Sequence, residues 1–264
     1  MTHVDFHPGK ERDGVAAYIT SHGRQQLFLN TKIRKAAPGT KPSDAALMAK
    51  KQIEDDLNIL GVANVDMLML RDSPDGNVMQ AQWKVMEEAL KLGKTRSIGV
   101  VNYCQKSLEC ILEIAEVQPA INYYMLHVGM GKDAHGLRGF GESKGIKTFA
   151  YGALGEPGPN RELLNSPLLS RIGVKYDKRP EEVALRWVLQ SGAAVSVRPT
   201  TNFGLGMSFC SDKDTKCEAG MMERASTFSW SLSAKEMDEL DSLNSPDDNP
   251  TLFSSSGCPN AFGM

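Results

Sequence analysis

Arg71 and Asp72 set a guanidinium beside a carboxylate at the point where an apolar run, Met67-Leu68-Met69-Leu70, stops. Large apolar residues in succession, bounded by charge, read as a strand buried on both faces. Pro74 then prevents the strand from continuing. The carboxyl edge of such a parallel strand is where α/β proteins gather the groups that bind and react with small molecules. Two other segments end in the same manner. Asp5-Phe6-His7-Pro8-Gly9 closes a short candidate strand at Thr2 to Phe6, and Lys32 stands near the end of Leu27 to Ile33. Asp5, His7, Lys32 and Arg71 at such strand ends are residue types that can do acid–base chemistry or, through the Lys32 amine, Schiff-base chemistry. An imidazole, with a reference pKa of about 6.5, suits proton donation near neutrality. A guanidinium, with a pKa above about 12, orients or stabilises an oxyanion instead.

The elements that position these residues alternate strand and helix. Arg12 to Ser21 reads as helical up to Gly23, and Ser43 is the expected N-cap of a helix with Leu47, Ile53, Leu57 and Leu60 on its apolar face. Met79, Trp83, Met86 and Leu90 form the stripe of the next helix, closed by Gly93. Ser97 to Asn102, Pro119 to Tyr124, Gly145 to Tyr151 and Ala193 to Val197 are strands. Helices are expected over Leu108 to Ile114, near Leu137 to Lys144, over Glu162 to Lys175, and from Pro180 at a first turn to Gln190 with Val183, Leu185, Trp187 and Val188 on its buried face. Ser233 caps a last helix, Ala234 to Leu243. The polar stretch Thr200 to Gly220 exceeds an ordinary connection and reads as functional or mobile. With no linker in sight, residues 1–264 form a single α/β domain with an irregular tail from about residue 245. That pattern fits a (β/α)8 barrel with one unit missing, or a doubly wound sheet of unusual length.

Composition narrows the classes. A charged fraction of 23% and a hydrophobic fraction of 41% are those of a globular protein with a sizeable core. A formal net charge of −2 leaves no footprint for nucleic acid or an anionic membrane. The apolar runs are too short to span a bilayer, and the first residues lack a signal-peptide pattern. Five cysteines, an odd number, suit a reducing compartment better than a disulfide framework, and Cys210 and Cys217, in one polar loop, read as two unpaired thiols, with a redox pair as the alternative. The expected location is the cytoplasm or an organelle stroma. No metal-ligand pattern is read.

The strand ends decide between the folds. Leu27-Phe-Leu-Asn-Thr-Lys32, Gly99-Val-Val-Asn102-Tyr103, Ala120-Ile-Asn122-Tyr123 and Ala150-Tyr151-Gly-Ala-Leu154-Gly155, with the Val183 to Trp187 helix, together resemble the aldo-keto reductases from about Thr2 to Leu243. The resemblance implies a TIM-type parallel barrel, (β/α)8, that binds NADPH, or alternatively NADH, across the carboxyl edge of its strands. It also implies hydride transfer to a small aldehyde or ketone. Of the family's aspartate, tyrosine, lysine and histidine, Asp5 matches the first and Lys32 the third; an ion pair between them would hold the ammonium charged in a partly dry site. The tyrosine expected soon after Asp5 is absent, and Arg71 stands in place of the histidine, so His7 is the candidate acid. For the cofactor, Asn102 matches the residue that binds the nicotinamide carboxamide, and Tyr123 stands where the family has a glutamine for it. Tyr151, with Leu154 after it, matches the tyrosine that stacks on the nicotinamide ring. Arg198 and Thr200 are the candidates for the adenosine phosphate.

The resemblance begins at the family's second barrel strand, so the barrel is expected to lack its first. Such a barrel leaves edge strands with unpaired backbone groups. The chain upstream of Met1, the tail from Leu252 to Phe262, or another subunit can cover them. Loss of the tyrosine and histidine keeps two other readings open: a non-catalytic barrel that binds the cofactor as a sensor or interaction module, and a non-redox enzyme on the same barrel. Survival of Asp5, Lys32, Asn102 and Tyr151 favours the reductase, whose substrate depends on freely varying loops.

Overall fold

A computed structural model describes residues 2–73, 75–133, 136–154, 165–197 and 226–243. Strands and helices alternate along them: β1 (Thr2–Phe6), α1 (Lys10–His22), β2 (Leu27–Ile33), α2 (Pro42–Leu60), β3 (Met67–Arg71), α3 (Gly76–Lys91), β4 (Ile98–Val101), α4 (Gln105–Leu112), β5 (Ile121–Met125), α5 (Leu137–Ser143), β6 (Lys147–Tyr151), α6 (Pro167–Tyr176), α7 (Pro180–Gln190), β7 (Ala194–Val195) and α8 (Ala234–Asp241). The seven strands pair in the order β1-β2-β3-β4-β5-β6-β7, so each neighbour in the sheet is also the next in sequence. A doubly wound sheet reverses direction at a switch point. This order never does, and it is the singly wound order of a (β/α)8-type barrel short of one strand. The doubly wound alternative is thereby removed. No helix among the described residues is long and apolar enough to cross a membrane.

The chain divides into two compact units, the first comprising residues 2–123 with 143–146. Its centre is β3, as the apolar run requires: Val65, Met67, Leu68, Met69 and Leu70 are all buried. The sheet of this unit is bent. The Tyr123 hydroxyl on β5 lies 3.4 Å from an Asp5 carboxylate oxygen on β1. In a flat sheet those strands would be about 19 Å apart, from spacings of about 4.8 Å, so β1 to β5 curl until their inward side chains meet. At Gly99 of β4 a Cβ would stand 2.6 Å from the Ile121 side chain, so only glycine permits this approach of β4 to β5.

Helix α4 runs Gln105–Leu112 where Leu108 to Ile114 is expected, and the clearest departures lie in α2. The N-cap of α2 is Lys41, with Pro42 supplying the preset φ of a first helical position, and Ser43 lies inside the first turn. Leu47 is 67% exposed while Ala45, Ala49, Ile53, Leu57 and Leu60 are buried. Leu47 follows Ala45 by about 200° of helical rotation, which turns it to the opposite face. The α3 stripe holds, with Met79, Trp83 and Met86 fully buried. Its N-terminus is capped by the Asp75 carboxylate, which accepts from the Asn77 and Val78 amides.

The second unit comprises residues 124–142 and the described residues after 146. There β6 pairs with β7 through Phe149 with Ala194 and Ala150 with Val195. The α7 face packs as its pattern predicts, with Val183, Ala184, Leu185, Trp187 and Val188 buried. The Trp187 indole N–H donates to Asp241 of α8 at 2.8 Å, and the Gln190 side chain bonds both the carbonyl and the amide of Leu232. Ser233 caps α8 as expected and completes a capping box with Glu236. The region of Cys210 and Cys217 lies outside the described residues.

Candidate functional site

Parallel pairing sets the register from which the site is built. Asp5 of β1 is opposite Asn30 of β2, Lys32 of β2 opposite Met69 of β3, and Arg71 of β3 opposite Val101 of β4. Asp5 and Lys32 therefore leave adjacent strands near their carboxyl ends with side chains on one face. The Lys32 ammonium lies 2.5 Å from each Asp5 carboxylate oxygen. The lysine side chain is only 4% exposed and the aspartate 19%. Asn30 also donates to Asp5, at 3.4 Å. Burial pushes the Lys32 ammonium below its ordinary pKa; Asp5 pulls it back up, and the Arg71 charge adds to the downward push.

Arg71 and His7 meet as well. An Arg71 guanidinium nitrogen is 2.7 Å from His7 Nε2, and His7 Nδ1 is 2.8 Å from a Glu11 carboxylate oxygen. A guanidinium only donates, so Nε2 must be the bare nitrogen and the ring proton sits on Nδ1, facing Glu11. The same Glu11 oxygen accepts from the His7 amide. Burial acts to raise the Glu11 carboxyl, but the His7 bonds bring it below the usual value. Both ring nitrogens of His7 are thus engaged, and protonating Nε2 would aim a new hydrogen at the guanidinium. This arrangement fixes Arg71 more directly than it offers a proton.

Tyr123 reaches the same cluster. Its ring is buried, its hydroxyl donates to Asp5 at 3.4 Å, and the Lys32 nitrogen lies 5.2 Å from the ring centre. At the end of β4, Asn102 takes a left-handed backbone conformation, φ 60°, which asparagine tolerates better than most residues. Its amide donates to the Tyr123 carbonyl. Asn122 braces the following turn by accepting from the Tyr103 amide and donating to the Tyr103 carbonyl. The Tyr103 hydroxyl is fully buried and donates to the Arg71 carbonyl, which anchors the end of β3. In the second unit, Tyr151 ends β6 partly exposed, with its carbonyl accepting from the Leu126 amide, and Leu154 is buried. Arg198 and Thr200 lie outside the described residues.

The structure thus brings Asp5, His7, Lys32 and Arg71 together at one end of β1, β2 and β3. Glu11, Tyr103 and the meeting of the Tyr123 hydroxyl with Asp5 are additions that strand-end motifs do not contain. The spacing of His7 and Glu11, four residues apart beside a helix start, was a signal for the first. Nothing local signals the others, because each bond joins residues far apart in sequence.

Comparison with known proteins follows the same lines. The model of the aldo/keto reductase family matches residues 6–244. Aldo-keto reductase family 4 member C11 of Arabidopsis thaliana is 30% identical over 232 residues, covering 78% of this chain and 71% of that protein. A crystal structure of an aldo/keto reductase from Brucella melitensis superposes with a TM-score of 0.73 at 25% identity, over 92% of this chain and 84% of the other. The fold of the Bombyx mori aldo-keto reductase solved in complex with NADP is shared with a TM-score of 0.70 at 20% identity, over 92% of this chain and 78% of that one. The chain belongs to the aldo/keto reductase family, whose members are oxidoreductases acting on carbonyl compounds.

Proposed function

We propose that this chain reduces a small aldehyde or ketone with a nicotinamide cofactor, NADPH in the first place. The observation that carries the proposal is the Asp5–Lys32 pair at the carboxyl end of β1 and β2, because it places a buried cation where an oxyanion can develop. The residues that the family resemblance assigns to the nicotinamide end have side chains of the right chemistry: Asn102 can both donate to and accept from a carboxamide, and Tyr151 offers an aromatic face. The Bombyx mori protein of the same fold was solved with NADP, which supports the choice of cofactor. Arg198 and Thr200 are proposed for the adenosine phosphate from the sequence.

A dihydronicotinamide, when bound, supplies the hydride. The protein's own task is to orient the carbonyl, stabilise the charge that develops on its oxygen, and deliver one proton. Lys32 meets the second need as a cation held by Asp5 in a largely water-excluded site. Arg71, steadied by His7 and by the Tyr103 hydroxyl on its carbonyl, adds a fixed positive charge nearby.

Titration of NADPH and NADH into the purified protein, followed by nicotinamide fluorescence, tests this reading. Both are expected to bind, NADPH the tighter. Tyr151→Ala should weaken binding by roughly three- to ten-fold, since aromatic stacking is worth about 0.5–1.5 kcal/mol. Arg198→Ala should weaken NADPH more than NADH, because only NADPH carries the extra phosphate. Failure of both cofactors to bind would contradict the proposal.

A further inference from the structure

We infer that Tyr123 is the proton donor of this site, a phenol supplied from β5 in place of the one missing after Asp5. The inference rests on the reductase reading and names the group that reading lacks.

Three arrangements point to Tyr123. Its hydroxyl reaches across the bent sheet to an Asp5 oxygen, 3.4 Å away, so it ends at the Asp5–Lys32 pair rather than beside it. The Lys32 ammonium, held by Asp5, lies 5.2 Å from the centre of its ring, close enough for the cation to stabilise a phenolate. The ring is buried, which fixes its direction, while the Asp5 side chain at its tip keeps 19% exposure.

The rival donors are less well placed. His7 has its Nδ1 proton directed at Glu11 and its Nε2 facing Arg71. Arg71 does not release a proton in water. Lys32 can do so in principle, but its ammonium is gripped by both oxygens of Asp5. Giving up that proton would leave the carboxylate without its counter-charge and remove the cation from the developing alkoxide. A phenol avoids both losses.

The step balances as follows. The carbonyl carbon gains a hydride, with its electron pair, from the dihydronicotinamide, which is oxidised to the nicotinamide cation. The π bond of the carbonyl breaks towards oxygen, and that oxygen takes the phenolic proton of Tyr123. The O–H turns from Asp5 to the substrate for this transfer, and the phenolate, next to Lys32, recovers a proton from water. Among the described residues, Asp5 on β1 and Lys32 on β2 face the phenol, and the charged or titratable groups acting on that pair are His3 on β1, Arg71 on β3 and Glu11 on α1, with His7 between the last two. Asp5 opposes phenolate formation, and Lys32 and Arg71 favour it. Burial lowers the His3 pKa, which works against its charged form, while Asp5 acts the other way.

The test compares wild type, Tyr123→Phe, His7→Ala and Lys32→Met by three readouts. The first is single-turnover oxidation of bound NADPH by a reactive aldehyde. The second is NADPH binding by fluorescence. The third is spectrophotometric titration of tyrosinate in the protein without cofactor. Tyr123→Phe keeps the ring and loses the hydroxyl, so reduction from saturating NADPH should fall by about 10²–10⁴, the usual worth of a general acid, well beyond any loss of NADPH affinity on the same samples. His7→Ala should slow reduction by less than about tenfold. Without cofactor, one tyrosinate transition present in wild type should be missing in Tyr123→Phe. In Lys32→Met it should move up by about one pH unit or more, through loss of the adjacent cation. Reduction by Tyr123→Phe at the wild-type rate, or a transition indifferent to Lys32, overturns the assignment and leaves the reductase reading intact. A wild type that binds NADPH and oxidises none of it at any pH overturns both.

Discussion

The two ends of the same strands hold charge in opposite ways. Just before β3, the Asp66 carboxylate is buried and accepts from the Leu29 amide at 2.8 Å, from Arg24 at 2.9 Å and from Arg96 at 3.2 Å. Both of its oxygens are used, and the guanidiniums reach out towards solvent, Arg96 with its side chain 68% exposed. Past the other end of β1, β2 and β3, the cation is the buried partner. Lys32 is lowered in pKa by that burial, Arg71 points its donors at a histidine, and the Asn30 side-chain oxygen has no partner among the described residues. The first arrangement closes a network around a carboxylate; the second leaves a cation and a phenol at the end of a network. Desolvation can cost as much as a buried pair returns, so a buried charge is best closed by partners, as Asp66 is, and the less complete set around Lys32 leaves groups that can turn to a ligand.

The largest effect that would sharpen this contrast is on stability. Asp66→Ala removes the acceptor from a buried amide and two guanidiniums, and should cost about 3 kcal/mol, at the lower end of the range for breaking a buried pair because Arg96 is exposed. Chemical denaturation measures that loss. Turnover per folded molecule should be unchanged; a turnover that falls with Asp66→Ala would mean that the two ends are not separable.

A smaller effect concerns Glu236 in the second unit, another closed carboxylate network. Burial acts to raise its carboxyl, but bonds from Lys175, Ser233 and Tyr176 hold it down at about 2, below the ordinary 4.5. The folded pKa lies below the unfolded one, so its contribution is full above about 4.5 and is lost as pH falls towards about 2. The melting temperatures of wild type and Glu236→Gln should therefore differ at neutral pH and converge over that acid range. A gap that stays constant down to the lowest pH would show that the charge of Glu236 is not what the network holds.

The sequence carried the fold because parallel β/α units write their plan locally. The buried run ending at Arg71, the capping serine at Ser233 and the stripe of Met79, Trp83 and Met86 are each legible within one element. Leu47 was misleading because a helix with alanines on its buried face presents a leucine outward without losing its packing. The site was legible as a list of strand ends and not as a geometry. Asp5 and Lys32 meet through strand register, which alternation encodes. Tyr123 meets Asp5 only because the intervening strands curl, and curl is the sum of many small twists that no single motif records. The bond from Arg71 to His7 likewise spans 64 residues and depends on where α1 begins.

The most direct measurement is single-turnover oxidation of bound NADPH by a reactive aldehyde in wild type and in Lys32→Met, with NADPH affinity measured on the same samples. The account predicts that wild type oxidises the cofactor. It predicts that Lys32→Met binds NADPH nearly as well yet reacts slower by about 10²–10³, the scale of one electrostatic group facing a developing oxyanion. Equal rates in the two proteins, or no oxidation by wild type at any pH, would contradict it.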